Sequence, residues 1–136
     1  MTRVHEVRVG KALIGPGRPL ALIAGPCVIE DEETALLAAE VVLKAAETAG
    51  VPLIYKSSFE KDNRSSHTGY RGPGRKTGLA ILAKVKRTFG LPVLSDIHRE
   101  EDLAEAAEVL DVIQIPAFLC QQTSLLLADG RTGRVI

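Results

Sequence analysis

The stretch VPLIYKSS (Val51–Ser58) decides how the chain is read. Pro52 to Tyr55 form an unbroken apolar run, which predicts a strand buried on both faces. Lys56, Ser57 and Ser58 follow at once, so polar chemistry begins where the strand ends. The pattern recurs. A strand predicted over Leu20 to Ala24 is followed by Gly25, Pro26 and Cys27. One over Pro92 to Ser95 is followed by Asp96 and His98, and one over Asp111 to Ile115 carries Gln114 near its close. Four apolar strands that deliver polar groups to one end predict an α/β fold with a parallel sheet. They fit a (βα)₈ TIM barrel, whose sites lie at the carboxyl rim of the strands. No G-x-G-x-x-G turn follows the first strand, which argues against an open dinucleotide-binding sheet.

Working outward, VHEVRVGKALIG (Val4–Gly15) alternates and turns at Gly10 and Lys11, predicting a hairpin within a first segment, 1–17. Helices are predicted over Glu32 to Ala49, capped by Asp31 and ended by Gly50; over Thr77 to Phe89, ended by Gly90; over Glu100 to Val109; and over Thr123 to Ala128. Arg134 to Ile136 reads as the start of a fifth strand. Segment 18–136 is thus expected to be the first half of a barrel. A complete barrel needs roughly 250 residues. Two unpaired parallel edges are prone to aggregation, so the natural catalyst is expected to continue past Ile136.

Composition narrows the class. Lys plus Arg number 17 and Asp plus Glu 17, so no overall positive field points to nucleic acid or a membrane surface. No apolar run is long enough to span a bilayer and no signal-peptide pattern opens the chain, which predicts a cytoplasmic enzyme or binding protein. Cys27 and Cys120 are the only cysteines and form no disulfide framework.

The cations Lys56, Lys61, Arg64 and Arg71 crowd one connection, interleaved with hydroxyls and Asn63. Lys56 either offers three donors to a phosphate or carboxylate at the rim or snorkels into solvent. Arg64 with Ser65 could grip phosphate by a two-pronged contact, or belong to a solvated loop. Asp96 ends an apolar strand, where a carboxylate binds a hydroxyl or cation or else caps the next helix. Gln114 reads as a buried amide, and Cys27, from composition alone, as a small buried hydrophobe. His98 either lines the site or braces its loop. His5 and His67 read as surface residues.

Taken together, AGPCVIE (Ala24–Glu30), KSSFEKDNRSS (Lys56–Ser66), YRGPG (Tyr70–Gly74), SDIH (Ser95–His98) and DVIQIPAFLCQQT (Asp111–Thr123) resemble the 3-deoxy-D-manno-octulosonate 8-phosphate synthases, also called 2-dehydro-3-deoxyphosphooctonate aldolases. The resemblance runs in order from about Leu20 to the last residue. It implies a (βα)₈ barrel, a homotetramer, and condensation of phosphoenolpyruvate with arabinose 5-phosphate for lipopolysaccharide synthesis. Related seven-carbon synthases carry a K-P-R-T-S type motif after the second strand, where this chain reads KSSFEKDNRSS. By the same resemblance Lys56, Lys61 and Gln114 would face phosphoenolpyruvate, while Asn63, Arg64 and Ser65 would hold the sugar phosphate. Asp96 would lie near the reacting end of the sugar, with Ala117 and Phe118 also on the substrates. Cys27 matches the cysteine that binds a divalent transition metal (zinc, iron or manganese) in the metal-dependent branch. The remaining ligands come from the second half of the family's barrel. The chain departs from the family at Gln121 and Ser124, which replace an arginine and an aspartate. A non-catalytic half-barrel, or a seven-carbon or sialic-type synthase, are the alternative readings.

Overall fold

A computed structural model describes residues 4–136, so the first three residues of the expected hairpin segment lie outside the described residues. Strands β1 (Val7–Val9) and β2 (Ala12–Ile14) pair antiparallel across the expected turn at Gly10 and Lys11. The main sheet follows. β3 (Leu22–Ala24), β4 (Leu53–Lys56), β5 (Val93–Asp96) and β6 (Val112–Gln114) lie side by side in chain order, all parallel. A β-bridge joins Val112 to Val135, and the Ile113 N–H donates to the Val135 carbonyl at 2.8 Å, so the expected fifth strand begins here as a single contact.

Helix α1 (Glu32–Ala49) starts where Asp31 accepts the Thr34 N–H at 2.7 Å, a cap that stabilises a helix by about 1 kcal/mol. It ends at Gly50, which takes the left-handed conformation at φ 67°. Its buried face is built from small residues, Ala35, Ala39 and Ala46, which lets the helix approach the sheet closely. Helix α2 (Arg75–Phe89) buries Leu79, Ile81, Leu82 and Val85. The region expected as one helix from Glu100 opens as a 3₁₀ turn (Glu100–Asp102) and continues as α3 (Leu103–Val109). After a second 3₁₀ turn (Ala117–Leu119), α4 (Thr123–Arg131) closes the order of elements.

Strand periodicity divides the apolar residues between the two sheet faces. On the outer face Leu53, Tyr55, Val93 and Ile113 meet Ala35 of α1, Leu82 of α2, Leu103 of α3 and Leu125 of α4. On the inner face Ile54, Leu94 and Val112 meet Val9 and Ala12 of the hairpin. That inner cover is partial. An open apolar cavity of about 510 Å³ remains between hairpin and sheet, and Ile23 of the edge strand is 50% exposed. The expectation of strands buried on both faces therefore holds for β4 and β5 but not for β3, which has a neighbour on one side only. Gln114, expected as a buried amide, is exposed for a related reason: it faces inward at the rim, above the part of the sheet the hairpin covers.

Candidate active site

The two-residue period of a strand puts Lys56 on the same face as Ile54, Asp96 on that of Leu94, and Gln114 on that of Val112. In the parallel register Asp96 stands opposite Gln114 and Lys56 opposite Leu94. The inner surface thus has an apolar layer, with charged and amide groups directly above it at the carboxyl rim.

Asp96 organises the rim. Its side chain is 4% exposed; Oδ2 accepts from Lys61 Nζ at 3.4 Å, and Oδ1 lies 4.0 Å from Lys56 Nζ. Ser58 bridges the remaining gap by accepting from Lys56 Nζ at 3.0 Å and donating to Asp96 Oδ1. Two lysines against one carboxylate leave a formal excess of one positive charge at the head of the sheet. Burial pushes the Lys56 ammonium below its usual pKa; Asp96 opposes that shift and Lys61 adds to it. A second anion at the rim would relieve both penalties. Asp96 caps no helix, since the next turn begins after Arg99, so that reading is set aside.

His98 is buried and packs beside Phe118, with ring centroids 6.2 Å apart. Its Nε2 lies 3.6 Å from Asp96 Oδ2, while Nδ1 is buried without a partner. Burial holds the imidazole below its usual pKa, which keeps it neutral near pH 7. It stands at the rim beside Asp96 without a hydrogen bond to it, which favours lining the site over bracing the loop. His5 and His67 are exposed, as expected.

Cys27 sits at the same rim. Ser57 Oγ donates to the Pro26 carbonyl at 2.9 Å, and the Ser58 N–H donates to the Cys27 carbonyl at 3.4 Å. Gly25 permits this approach: at φ 157° its missing Cβ would fall 2.0 Å from the Lys56 carbonyl oxygen. Cys27 is exposed, which corrects the compositional reading of a packed thiol. An accessible soft donor fits one position of a metal's ligand set. No group of three His, Cys, Asp or Glu side chains able to hold a metal occurs among the described residues.

The connection from β4 to α2 is folded upon itself. The Lys61 N–H donates to the Arg71 carbonyl at 2.7 Å, and the Gly74 N–H to Phe59 at 3.2 Å. Arg71, counted among the four cations of the sequence, is spent internally on Asp62 and Glu60. Arg64 uses only Nε, donating to the Tyr70 carbonyl at 2.9 Å, and Tyr70 anchors the segment by donating to the carbonyls of Ile29 and Glu30. Asn63, Arg64 and Ser65 are all exposed, whereas Lys61 is buried and Lys56 partly so. Ala117 and Phe118 occupy the turn after β6, both exposed. The rim thus gathers Lys56, Lys61, Asp96, His98 and Ser58, while the loop presents Asn63, Arg64 and Ser65 separately. Sequence reasoning missed Ser58 as the bridge. The signal was its position two residues beyond Lys56.

The profile of the DAHP synthetase I family matches residues 3–136. A protein named 2-dehydro-3-deoxyphosphooctonate aldolase from Citrifermentans bemidjiense is 60% identical over 136 residues, covering all of this chain and 49% of the relative. Proteins of the same name from Geobacter sp. (strain M21) and Geobacter sulfurreducens are 58% and 53% identical, again over all of this chain and 49% of each relative. The chain spans about half the length of the curated relatives it matches. These likenesses agree with the motif resemblance, and with a parallel sheet that carries its polar groups on one rim. The chain belongs to the DAHP synthetase I family.

Proposed function

We propose that this chain supplies the first-half site of a 3-deoxy-D-manno-octulosonate 8-phosphate synthase, which joins phosphoenolpyruvate, arabinose 5-phosphate and water and releases phosphate. The observation that carries the reading is the largely buried rim cluster, in which Lys56 and Lys61 share Asp96 and retain a positive excess. An anion with both carboxylate and phosphate groups suits that excess, because ammoniums in a water-poor site bind charge more strongly than in bulk water.

In the reaction the enol carbon of phosphoenolpyruvate forms the new bond to the sugar aldehyde. Water adds to the neighbouring carbon, and the tetrahedral centre expels inorganic phosphate. Lys56 and Lys61 hold the carboxylate and phosphate through that change of charge, with Gln114 donating its amide beside them. Asp96 keeps the lysines apart and faces the sugar aldehyde. Arg64 and Ser65, with Asn63, grip the distal sugar phosphate. Ala117 and Phe118 border the substrates from the turn after β6. Cys27 would hold the divalent metal, zinc, iron or manganese, which as a Lewis acid orients the aldehyde or a water. The complete (βα)₈ barrel, a homotetramer and a cytoplasmic site of action belong to the same reading. For location the supporting fact is that no described helix is long and apolar enough to cross a membrane.

The test is release of inorganic phosphate from phosphoenolpyruvate by the full-length enzyme. Arabinose 5-phosphate should support release and erythrose 4-phosphate should not. Preference for the four-carbon sugar would move the protein to the seven-carbon branch. The 136 residues alone are expected to give no turnover.

A further inference from the structure

The loop that bears Asn63, Arg64 and Ser65 is tied to the strand that bears Asp96 by charged residues outside both groups. Arg99, three residues beyond Asp96, forks onto Glu60: its Nη2 donates to Oε1 at 2.8 Å and its Nη1 to Oε2 at 3.0 Å. Glu60 also lies 3.6 Å from Arg71, whose carbonyl accepts the Lys61 N–H. On its other side Arg99 Nη1 lies 3.8 Å from Asp102, which accepts from Arg75 at 2.7 Å. Opposite charges alternate without interruption from the loop, across the β5 connection, to the start of α2.

An exposed single ion pair contributes little, but a two-pronged contact within a network is the exception, because its geometry is fixed. The Glu60 side chain is only 17% exposed, and the neighbouring guanidinium holds its carboxyl below the usual range. Glu60 precedes the exposed stretch 63–65, so fixing it sets where that stretch stands, whereas Lys61 has its own anchors in Asp96 and, through its N–H, the Arg71 carbonyl. Neither Glu60 nor Arg99 is needed to bind a substrate anion, since Glu60 has the wrong charge and Arg99 is already engaged.

We propose that the Glu60–Arg99 pair is a latch that positions the β4–α2 loop for the sugar phosphate, making both residues positioning residues. This rests on the functional reading above. An untied loop samples many orientations of Arg64, and the sugar must then select the competent one at a cost in apparent affinity. Phosphoenolpyruvate, held by Lys56 and Lys61, whose partners Ser58 and Asp96 lie outside the latch, is spared most of that cost.

The experiment compares Arg99→Met, Glu60→Gln and the double variant Glu60→Gln/Arg99→Met in the full-length enzyme. Each single variant should raise KM for arabinose 5-phosphate about tenfold, with KM for phosphoenolpyruvate changing less than about threefold. The double variant should lose no more than either single one, as coupling between the two sites requires. A pair serving stability alone would lower the unfolding midpoint and leave the ratio of the two KM values unchanged, and that result overturns the proposal. If arabinose 5-phosphate is no substrate even for the unaltered enzyme, the functional reading fails instead, and amide hydrogen exchange over residues 61–74 decides the latch. Faster exchange in Arg99→Met supports it, and unchanged exchange removes it.

Discussion

The ammonium of Lys61 sits 3.4 Å from Oδ2 of Asp96, and both side chains are almost wholly buried. With Lys56 at the other oxygen, one carboxylate compensates two cations. Removing it strands both lysines. Asp96→Ala is expected to destabilise the fold by about 3–5 kcal/mol, the usual result of deleting one partner of a buried pair. Urea unfolding measures this, and the double variant Asp96→Ala/Lys61→Met should recover part of the loss. A cost below about 1 kcal/mol would mean that the rim is wetter than the structure implies.

Arg64 keeps both terminal guanidinium nitrogens clear of the Tyr70 contact made by its Nε. Arg64→Ala should therefore weaken arabinose 5-phosphate by roughly 1.5–3 kcal/mol, about one to two decades in affinity, and phosphoenolpyruvate far less. Calorimetric titration with each substrate separates the effects. Equal losses would assign the loop to the other ligand.

For Cys27, exposed at the rim, chelation of the full-length enzyme should abolish turnover reversibly, and Cys27→Ala should lose metal as judged by elemental analysis. Cys27→Asn is the sharper variant, because a neutral amide fills the position without a thiolate. Partial activity that chelators no longer touch is expected there. Full activity of the unaltered enzyme after exhaustive chelation, with no metal detected, would make Cys27 an ordinary surface thiol.

Asp129 of α4 is wholly buried, with neither carboxylate oxygen partnered, and burial pushes its carboxyl above the ordinary range. A carboxyl whose pKa is raised in the folded state contributes stability that is fully present below its unfolded value, 3.8, and lost as pH rises through the folded one. At pH 7 Asp129→Ala should consequently be more stable than the unaltered chain by about 1–3 kcal/mol, with the gap closing in acid. Urea midpoints at the two ends of that range test the sign. Equal midpoints at pH 7 would show that the carboxylate finds a partner in solution.

The strands and helices were legible because their signals are local. Asp31 and Gly50 bracket α1 as read, and each apolar run became a strand of the parallel sheet. The division of the sheet into two faces was less legible. A continuous apolar run shows that both faces are apolar, but not which face a hairpin covers or leaves open, hence the misread exposure of Ile23 and Gln114. Lys56, Lys61 and Asp96 could be named singly, yet their sharing of one carboxylate depends on strand register, which no local pattern states. The Glu60–Arg99 fork was invisible for the same reason, since it links residues far apart in sequence.

The hairpin carries a consequence for the order of assembly. Val9 and Ala12 leave the ribosome well before Leu94 and Val112, which form part of the apolar surface that buries them. During synthesis the hairpin must wait, with its inner side wet, until the strands bearing Leu94 and Val112 have followed it out of the ribosome. Contacts so distant along the chain close slowly, because the loop entropy is spent before any burial offsets it. The hairpin should therefore dock among the last events of folding, so that Val9→Ala mainly speeds unfolding and barely slows folding in a stopped-flow chevron.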